Sequence, residues 1–144
     1  MTFDRQNGKK HGTLTVRLWG EYSEEKCARV IGDWYRAIVR DRATSLLSVW
    51  ESRIGVSANQ IFIQRMKTRW GGCNPEKGNI RLNSELGKKP VECLEYILVH
   101  ELIHLLEPTH NERFHALLRQ HIPNWKARRK LLNSLPLSHE AWTY

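Results

Sequence analysis

The stretch VHELIHLLEPTH, residues 99–110, decides how the rest of the chain is read. His100 and His104 stand four apart in an apolar run, so on a helix both imidazoles leave the same face about one turn apart. That spacing lets two ring nitrogens reach one ion at the ~2.0–2.1 Å that zinc takes. Glu101 projects sideways from the pair and can meet a metal-bound water without ligating the metal, which is the placement of a general base. Leu94, Ile97, Leu98, Leu102 and Leu105 make the segment nearly pure core, where polar groups cost stability unless a hydrogen bond or a metal satisfies them. Pro108 stops the helix within a turn of His104. His110 then falls in the first turn of the next helix and can swing back toward the same ion. Three protein ligands with a fourth corner left to water form a catalytic zinc arrangement, whereas a structural site closes with four. His115 competes for the third place, but its spacing turns it elsewhere. A buried histidine taken singly is usually hydrogen-bonded core; three converging from two elements point to a metal. Glu107 and Asn111 both stand where they can orient a ligand imidazole, and the sequence does not choose between them.

Working outward, Thr109 with Glu112 fits a capping box for a helix that buries Phe114, Leu117 and Leu118. Pro123 breaks that helix, and WKARRKLLNSL makes a last short one. Upstream, IFIQRM (61–66) and NIRLN (79–83) are expected to be strands. The glycines at 71, 72 and 78 and Asn74-Pro75 between them suggest one hairpin with an elaborated tip. Residues 23–53 carry Val30, Trp34, Ala37, Ile38, Leu46, Leu47 and Trp50 at helical spacing, ended by Gly55. TLTVRLWG (13–20) alternates like a short strand, and residues 1–12 resemble a disordered leader. The expectation is an α+β chain with one domain over 13–144, built on a small antiparallel sheet or hairpin surrounded by helices.

Composition narrows the class. A 144-residue chain with 40% hydrophobic residues and six tryptophans can bury a core. Cys27, Cys73 and Cys93 are odd in number and widely spaced, which argues against a disulfide scaffold and a Cys-rich zinc finger. The opening residues are too polar for a signal peptide, and no apolar run approaches the ~18–20 residues of a membrane span. The expectation is a cytoplasmic protein with no membrane association. A net charge of +8 favours acidic or polyanionic partners without specifying one.

TRWGGCNPEKGNIRLN followed by VHELIHLLEPTHNERF resembles the YgjP-like metallopeptidases, a group related to the SprT-like zinc proteases. The likeness runs from about Trp34-Tyr35 to PNWKARRKLLN. It implies a minimal zincin-like fold with the active-site helix packed on a small sheet, one Zn2+ ion on His100, His104 and His110, and Glu101 as catalytic base. Two positions depart from the pattern: Gly72 stands where Ser is common, and His115 where Trp often follows the Phe. Such proteins are generally longer before the first helix, so the resemblance also implies a shortened member or a missing N-terminal region.

The chemistry expected is peptide hydrolysis. Zinc lowers the pKa of its water toward ~7, Glu101 takes the proton, and the metal polarises the attacked carbonyl. GNIRLN, with Asn79, Ile80 and Arg81, is the candidate strand edge for capturing an extended protein or peptide substrate, the other possibility being an internal strand. Arg69 and Trp70 at the loop tip are further substrate-binding candidates, weighed against a solvated charge and a packing plug. Two other readings stand beside the peptidase: a zinc hydrolase of a nucleotide or other phosphate substrate, and a DNA-associated protein with structural zinc. The basic run Lys126, Arg128, Arg129 and Lys130 beside Trp125 would supply the DNA contact. The lack of a GxxxxGK phosphate cradle favours the peptidase, and a base beside the metal argues against a structural site. Oligomeric state is not encoded in any feature of the sequence.

Overall fold

The computed structural model describes residues 23–134, so the expected leader over 1–12 and the strand over 13–20 lie outside the described residues. The chain divides into two compact units, residues 1–34 and 35–144. Of the first, residues 23–34 are described, and they open the long helix α1, Glu24–Ile54. Ser23 starts this helix by accepting a hydrogen bond from the Lys26 N–H on its side-chain oxygen, 3.0 Å.

In the second unit, α1 presents Val39, Ala43, Leu46, Leu47, Trp50 and Ile54 to the core, an i, i+4, i+7 recurrence that makes one apolar stripe. Gly55, with φ +81°, ends it, because a left-handed residue turns the chain out of the helix at little cost only when it has no Cβ. Three strands follow: β1 Gln60–Gln64, β2 Gly71–Asn74 and β3 Asn79–Asn83. A short 3-10 turn, Ser84–Lys88, leads to α2 Val91–Ile103, α3 Glu112–His121 and α4 Trp125–Ser134.

The sheet corrects the expected hairpin. β1 and β3 are parallel, pairing Ile61 with Ile80 and Ile63 with Leu82. β3 is antiparallel to β2, pairing Gly72 with Arg81 and Cys73 with Ile80. The order among the described residues is β1-β3-β2, a mixed sheet. The hairpin is therefore β2–β3, and the stretch taken for its tip contains a strand. Glycines and a cysteine carry little strand propensity, which is why GGCN passed for a loop. The turn is closed by Asn74, whose Oδ1 accepts from the N–H groups of Glu76 and Lys77 at 3.2 Å each. Gly78, at φ +71°, completes it.

β3 sits in the middle with Ile80 and Leu82 fully buried. α2 packs against β2, β3, α3 and α4. It is buried on nearly every side, with Cys93, Leu94 and every residue from Tyr96 to Ile103 inside. A helix enclosed in this way has no polar face, so each polar residue on it needs a partner within the fold. Glu95 has two: Trp50 Nε1 donates at 3.0 Å and Arg128 Nη1 at 2.6 Å. These bonds tie α1 and α4 to α2. They also withdraw Arg128 from the basic surface expected to contact DNA, since its guanidinium bonds Glu95 and the Glu92 carbonyl instead.

Asn83 is a second internal polar tie and is fully buried. Its Nδ2 donates to the carbonyls of Met66 (3.0 Å) and Arg69 (2.7 Å). Its Oδ1 accepts from the N–H of Met66 (3.3 Å) and of Glu85 (3.0 Å). One side chain thus fixes the loop between β1 and β2 and caps the 3-10 turn. Asn83→Ala should lower stability by about 2–4 kcal/mol in urea denaturation, because it leaves buried backbone groups unsatisfied; a loss below about 0.5 kcal/mol would show that the loop finds other partners.

Burial alone would raise the Glu95 carboxyl, but the hydrogen bonds from Arg128 and Trp50 and the charges of Arg128 and Arg53 outweigh it and hold it below its ordinary value. A depressed carboxylate contributes stability that is full above the unfolded pKa and disappears as pH falls through the folded one. Glu95→Gln should therefore destabilise the protein at pH 7, and the gap between its urea midpoint and that of the wild type should narrow as pH drops below about 4. A gap constant down to pH 2 would remove ionisation from the tie.

Candidate active site

α2 ends at Ile103, with His104 as its C-cap, and the chain turns through residues 104–110 before α3 begins. The expected Thr109 capping box is not formed. Asn111 is the cap, in extended conformation, its Oδ1 accepting the Phe114 N–H at 2.8 Å. His110 consequently lies just ahead of α3 rather than in its first turn. The same Asn111 donates through Nδ2 to Glu107 Oε2 at 3.0 Å. Arg113 Nη1 meets Glu107 Oε1 at 3.0 Å. The Glu107 carboxylate thereby braces the turn, while its main-chain carbonyl accepts from His104 Nδ1 at 2.9 Å. Glu107, through its backbone, is the residue that orients an imidazole.

This scaffold brings three rings to one point. His110 Nε2 lies 3.0 Å from His104 Nε2 and 3.2 Å from His100 Nε2. Tetrahedral ligands at 2.0–2.1 Å from zinc stand about 3.3 Å apart, so the nitrogens already have the spacing of a ligand set. His104 donates its Nδ1–H to a carbonyl, which leaves its Nε2 as a lone pair turned toward His110. His115, the rival for the third place, is outside the cluster, its ring centroid 6.5 Å from that of His110. Among the described residues, His100, His104 and His110 form the group of side chains able to hold a metal ion.

The electrostatics suit a cation. Burial and the neighbouring histidines push His100 down to about 3. Burial also lowers His104, against the opposing bond to the Glu107 carbonyl. It lowers His110 too, with His115 adding to the effect. All three rings are thus neutral at pH 7, the state that ligates metals. The residues present fit a single divalent ion of the zinc type, which imidazole nitrogens favour.

Phe114 holds this arrangement together, a role that the sequence reading missed by treating it as ordinary core. It is fully buried, with its ring centroid 4.9, 4.5 and 4.9 Å from those of His100, His104 and His110. It stacks on His104 at 26° and meets the other two edge-on. The HNERF spacing, which puts an aromatic residue four positions after His110, was the available signal.

Glu101 is 2% exposed, and burial raises its carboxyl to about 8 while the Arg69 charge pulls the other way. A cation on the adjacent imidazoles would lower it again, toward the range useful to a base at neutral pH. It opens into a cleft of about 580 Å3 bounded by the three histidines, Arg69, Pro108 and the β2 residues Gly71, Gly72 and Cys73. Burial first, then the Glu101 charge, pushes the Cys73 thiol up to about 12, so it is a neutral wall and no nucleophile.

The other substrate candidates divide. Arg69 lines the cleft. Trp70 is 4% exposed and belongs to the core, with the Lys89 ammonium 5.8 Å from its ring. Asn79, Ile80 and Arg81 lie on the central strand, whose backbone is already paired on both sides, so the expected strand edge is not there. Arg81 stacks over Phe62 at 4.9 Å and donates to Gln64 Oε1 at 3.0 Å, away from the cleft lining. The outer strand facing the cleft is β2.

The family model described as YgjP-like, metallopeptidase domain, matches residues 4–135. Among solved structures, the chain is similar to the metallopeptidase zymogen abylysin of Pyrococcus abyssi. The TM-score is 0.61 at 21% identity, covering 70% of this chain and 99% of that one, which is a likeness of fold. The metallopeptidase zymogen jannalysin of Methanocaldococcus jannaschii aligns at 30% identity with a TM-score of 0.42, covering 61% of this chain and 81% of that one. No curated protein matches.

Phe114→Leu should weaken zinc binding by about tenfold or more in a chelator competition, since loosened rings lose their common focus. His110→Ala should abolish tight binding while His115→Ala leaves it within about threefold. The reverse order for the two histidines would move the third ligand to His115.

Proposed function

The chain belongs to the YgjP-like metallopeptidase family, and from that premise we propose that it hydrolyses peptide bonds with one zinc ion held by His100, His104 and His110 and with Glu101 as general base. When bound, zinc supplies a Lewis acid that lowers the pKa of water and polarises a carbonyl. The observation that carries the reading is the convergence of the three Nε2 atoms to 3.0 and 3.2 Å beside a buried carboxylate. The three rings present lone pairs in a fixed fan, backed by Phe114. Glu101 removes a proton from the attacking water and returns it to the leaving amine. The Gly71 backbone packs close beside it, since an added Cβ there would lie 3.2 Å from Glu101 Cγ, so a larger residue would press on the carboxylate's side chain.

The substrate backbone would lie extended along the cleft side of β2, beside Gly72 and Cys73, and take main-chain hydrogen bonds from it. Gly72 has nothing within 4 Å of where a Cβ would stand, which leaves room for that chain. A phosphate substrate is the weaker reading, because the cleft offers one guanidinium rather than a cradle of backbone N–H groups. No helix among the described residues is long and apolar enough to cross a membrane.

Glu101→Gln tests the reading. The zinc content should stay at one ion per chain while cleavage of an unfolded protein falls by about a thousandfold or more. Nucleoside triphosphates should be left intact by the wild type in the same assay. A Gln variant with full peptidase activity would remove Glu101 from the chemistry, and triphosphate cleavage lost on the same substitution would reassign the substrate.

A further inference from the structure

Arg69 is the sole lysine or arginine on the cleft wall among the described residues. Several other cations of the same unit are engaged elsewhere: Arg65 and Lys88 meet Glu85 at 3.5 and 2.7 Å, and Arg81 is held by Gln64 and Phe62. Arg113 and Arg128 have their own glutamates. The Arg69 guanidinium makes no ion pair among the described residues and is exposed. Its main chain is nevertheless immobilised. The buried Asn83 amide donates to its carbonyl at 2.7 Å, and the next residue, Trp70, is core and accepts the Asn83 N–H at 2.9 Å.

A planar five-donor fork, weakly hydrated and carried on a fixed backbone, fits a carboxylate in bidentate geometry. Anchoring the backbone in advance reduces the entropy lost when the fork closes on a ligand. An exposed arginine with its own carboxylate partner would be a surface ion pair of little consequence. Among the described residues Arg69 forms no such ion pair, its charge being felt only at longer range by Glu101, and it stands two residues before β2, at one end of the strand that borders the cleft. The chain's charge of +8 also draws acidic substrates toward the protein at long range.

We infer that Arg69 anchors a substrate carboxylate, so that the cleft selects peptides with an acidic side chain or a free C-terminus close to the scissile bond. The inference rests on the peptidase reading of the same cleft. It assigns Arg69 a role in substrate choice, distinct from stabilising the transition state of every substrate alike. Both sources of the group, side chain and chain end, share one chemistry.

The test uses zinc-loaded protein and four fluorogenic peptides of one core sequence: Glu or Gln beside the cleavage site, each with a free or an amidated C-terminus. The wild type should prefer one carboxylate-bearing partner by about ten- to a hundredfold in kcat/KM, the range expected for a charged hydrogen-bonded pair. The Glu/Gln comparison and the acid/amide comparison say which source is used. Arg69→Gln should bring that ratio close to one. Arg69→Glu should turn the preference toward a fifth peptide with Lys in place of that Glu, a gain that misfolding cannot produce. Fluorescence anisotropy of the same peptides on the Glu101→Gln protein reads the preference as binding alone. Failure of the peptidase reading shows as no cleavage of any peptide, whereas the carboxylate preference still registers in that binding assay. Equal wild-type values for all four peptides in both assays, or an Arg69→Gln loss that lowers every peptide alike with the ratio kept, would overturn the inference.

Discussion

Three neutral imidazoles turn their Nε2 atoms toward one point, within hydrogen-bonding distance of one another. Every feature around the site holds them there. Phe114 presses on all three rings, and α2 is enclosed so thoroughly that His100 is 4% exposed and opens only on the cleft. The Glu107 carbonyl fixes which nitrogen of His104 is protonated. Rings already focused on one point lose little freedom when a ligand is taken up there. The ordinary interactions of the core thus supply the geometry of the site. The turn between α2 and α3 is short and heavily bonded because its one task is to carry His110 back over the end of α2.

The metal helix and its histidines were legible in the sequence because they depend on spacing alone. A four-residue interval on an apolar helix fixes which side chains share a face, whatever packs around it. The break before His110 was legible for a similar reason, since Pro108 forbids continuation. The cap was misassigned: Thr109 and Glu112 have the right interval, but Asn111 also has a short acceptor side chain, and it alone is positioned to reach the Phe114 N–H while holding Glu107. Local pattern offered two caps, and a tertiary contact selected one.

The sheet was less legible. Two stretches with strand composition, IFIQ and NIRLN, suggest a hairpin when only a loop seems to separate them. They are parallel neighbours, with β2 lying between them in sequence but on the far side of β3 in space. What makes β2 a strand is its hydrogen-bonded partner, because Gly71-Gly72-Cys73 has no intrinsic preference for one. The same error placed the free strand edge on β3, which is central, when the outer strand lining the cleft is β2. The single residue that encodes the true path is Asn83, whose four hydrogen bonds stitch the β1–β2 loop to the end of β3. A buried asparagine cannot be distinguished from an exposed one by periodicity, so this signal was present in the string and silent.

Gly71 joins these two halves of the molecule. A Cβ there would stand 2.9 Å from Ile97 Cγ2 and 3.0 Å from the Arg81 carbonyl, distances that neither a packed helix nor a paired central strand can easily relieve. The glycine therefore sets how closely the sheet approaches α2, and it does so one helical turn before Glu101. If the strand stood further off, water would reach the carboxylate and the burial that raises it to about 8 would diminish. The approach that gives Glu101 its basicity also places the cleft side of β2, and Arg69 just ahead of it, beside the histidines. The burial of Glu101 and the shape of the cleft wall beside it thus follow from one close contact between a glycine strand and an enclosed helix. That makes the absence of a side chain at position 71 as much a part of the site as the imidazoles themselves.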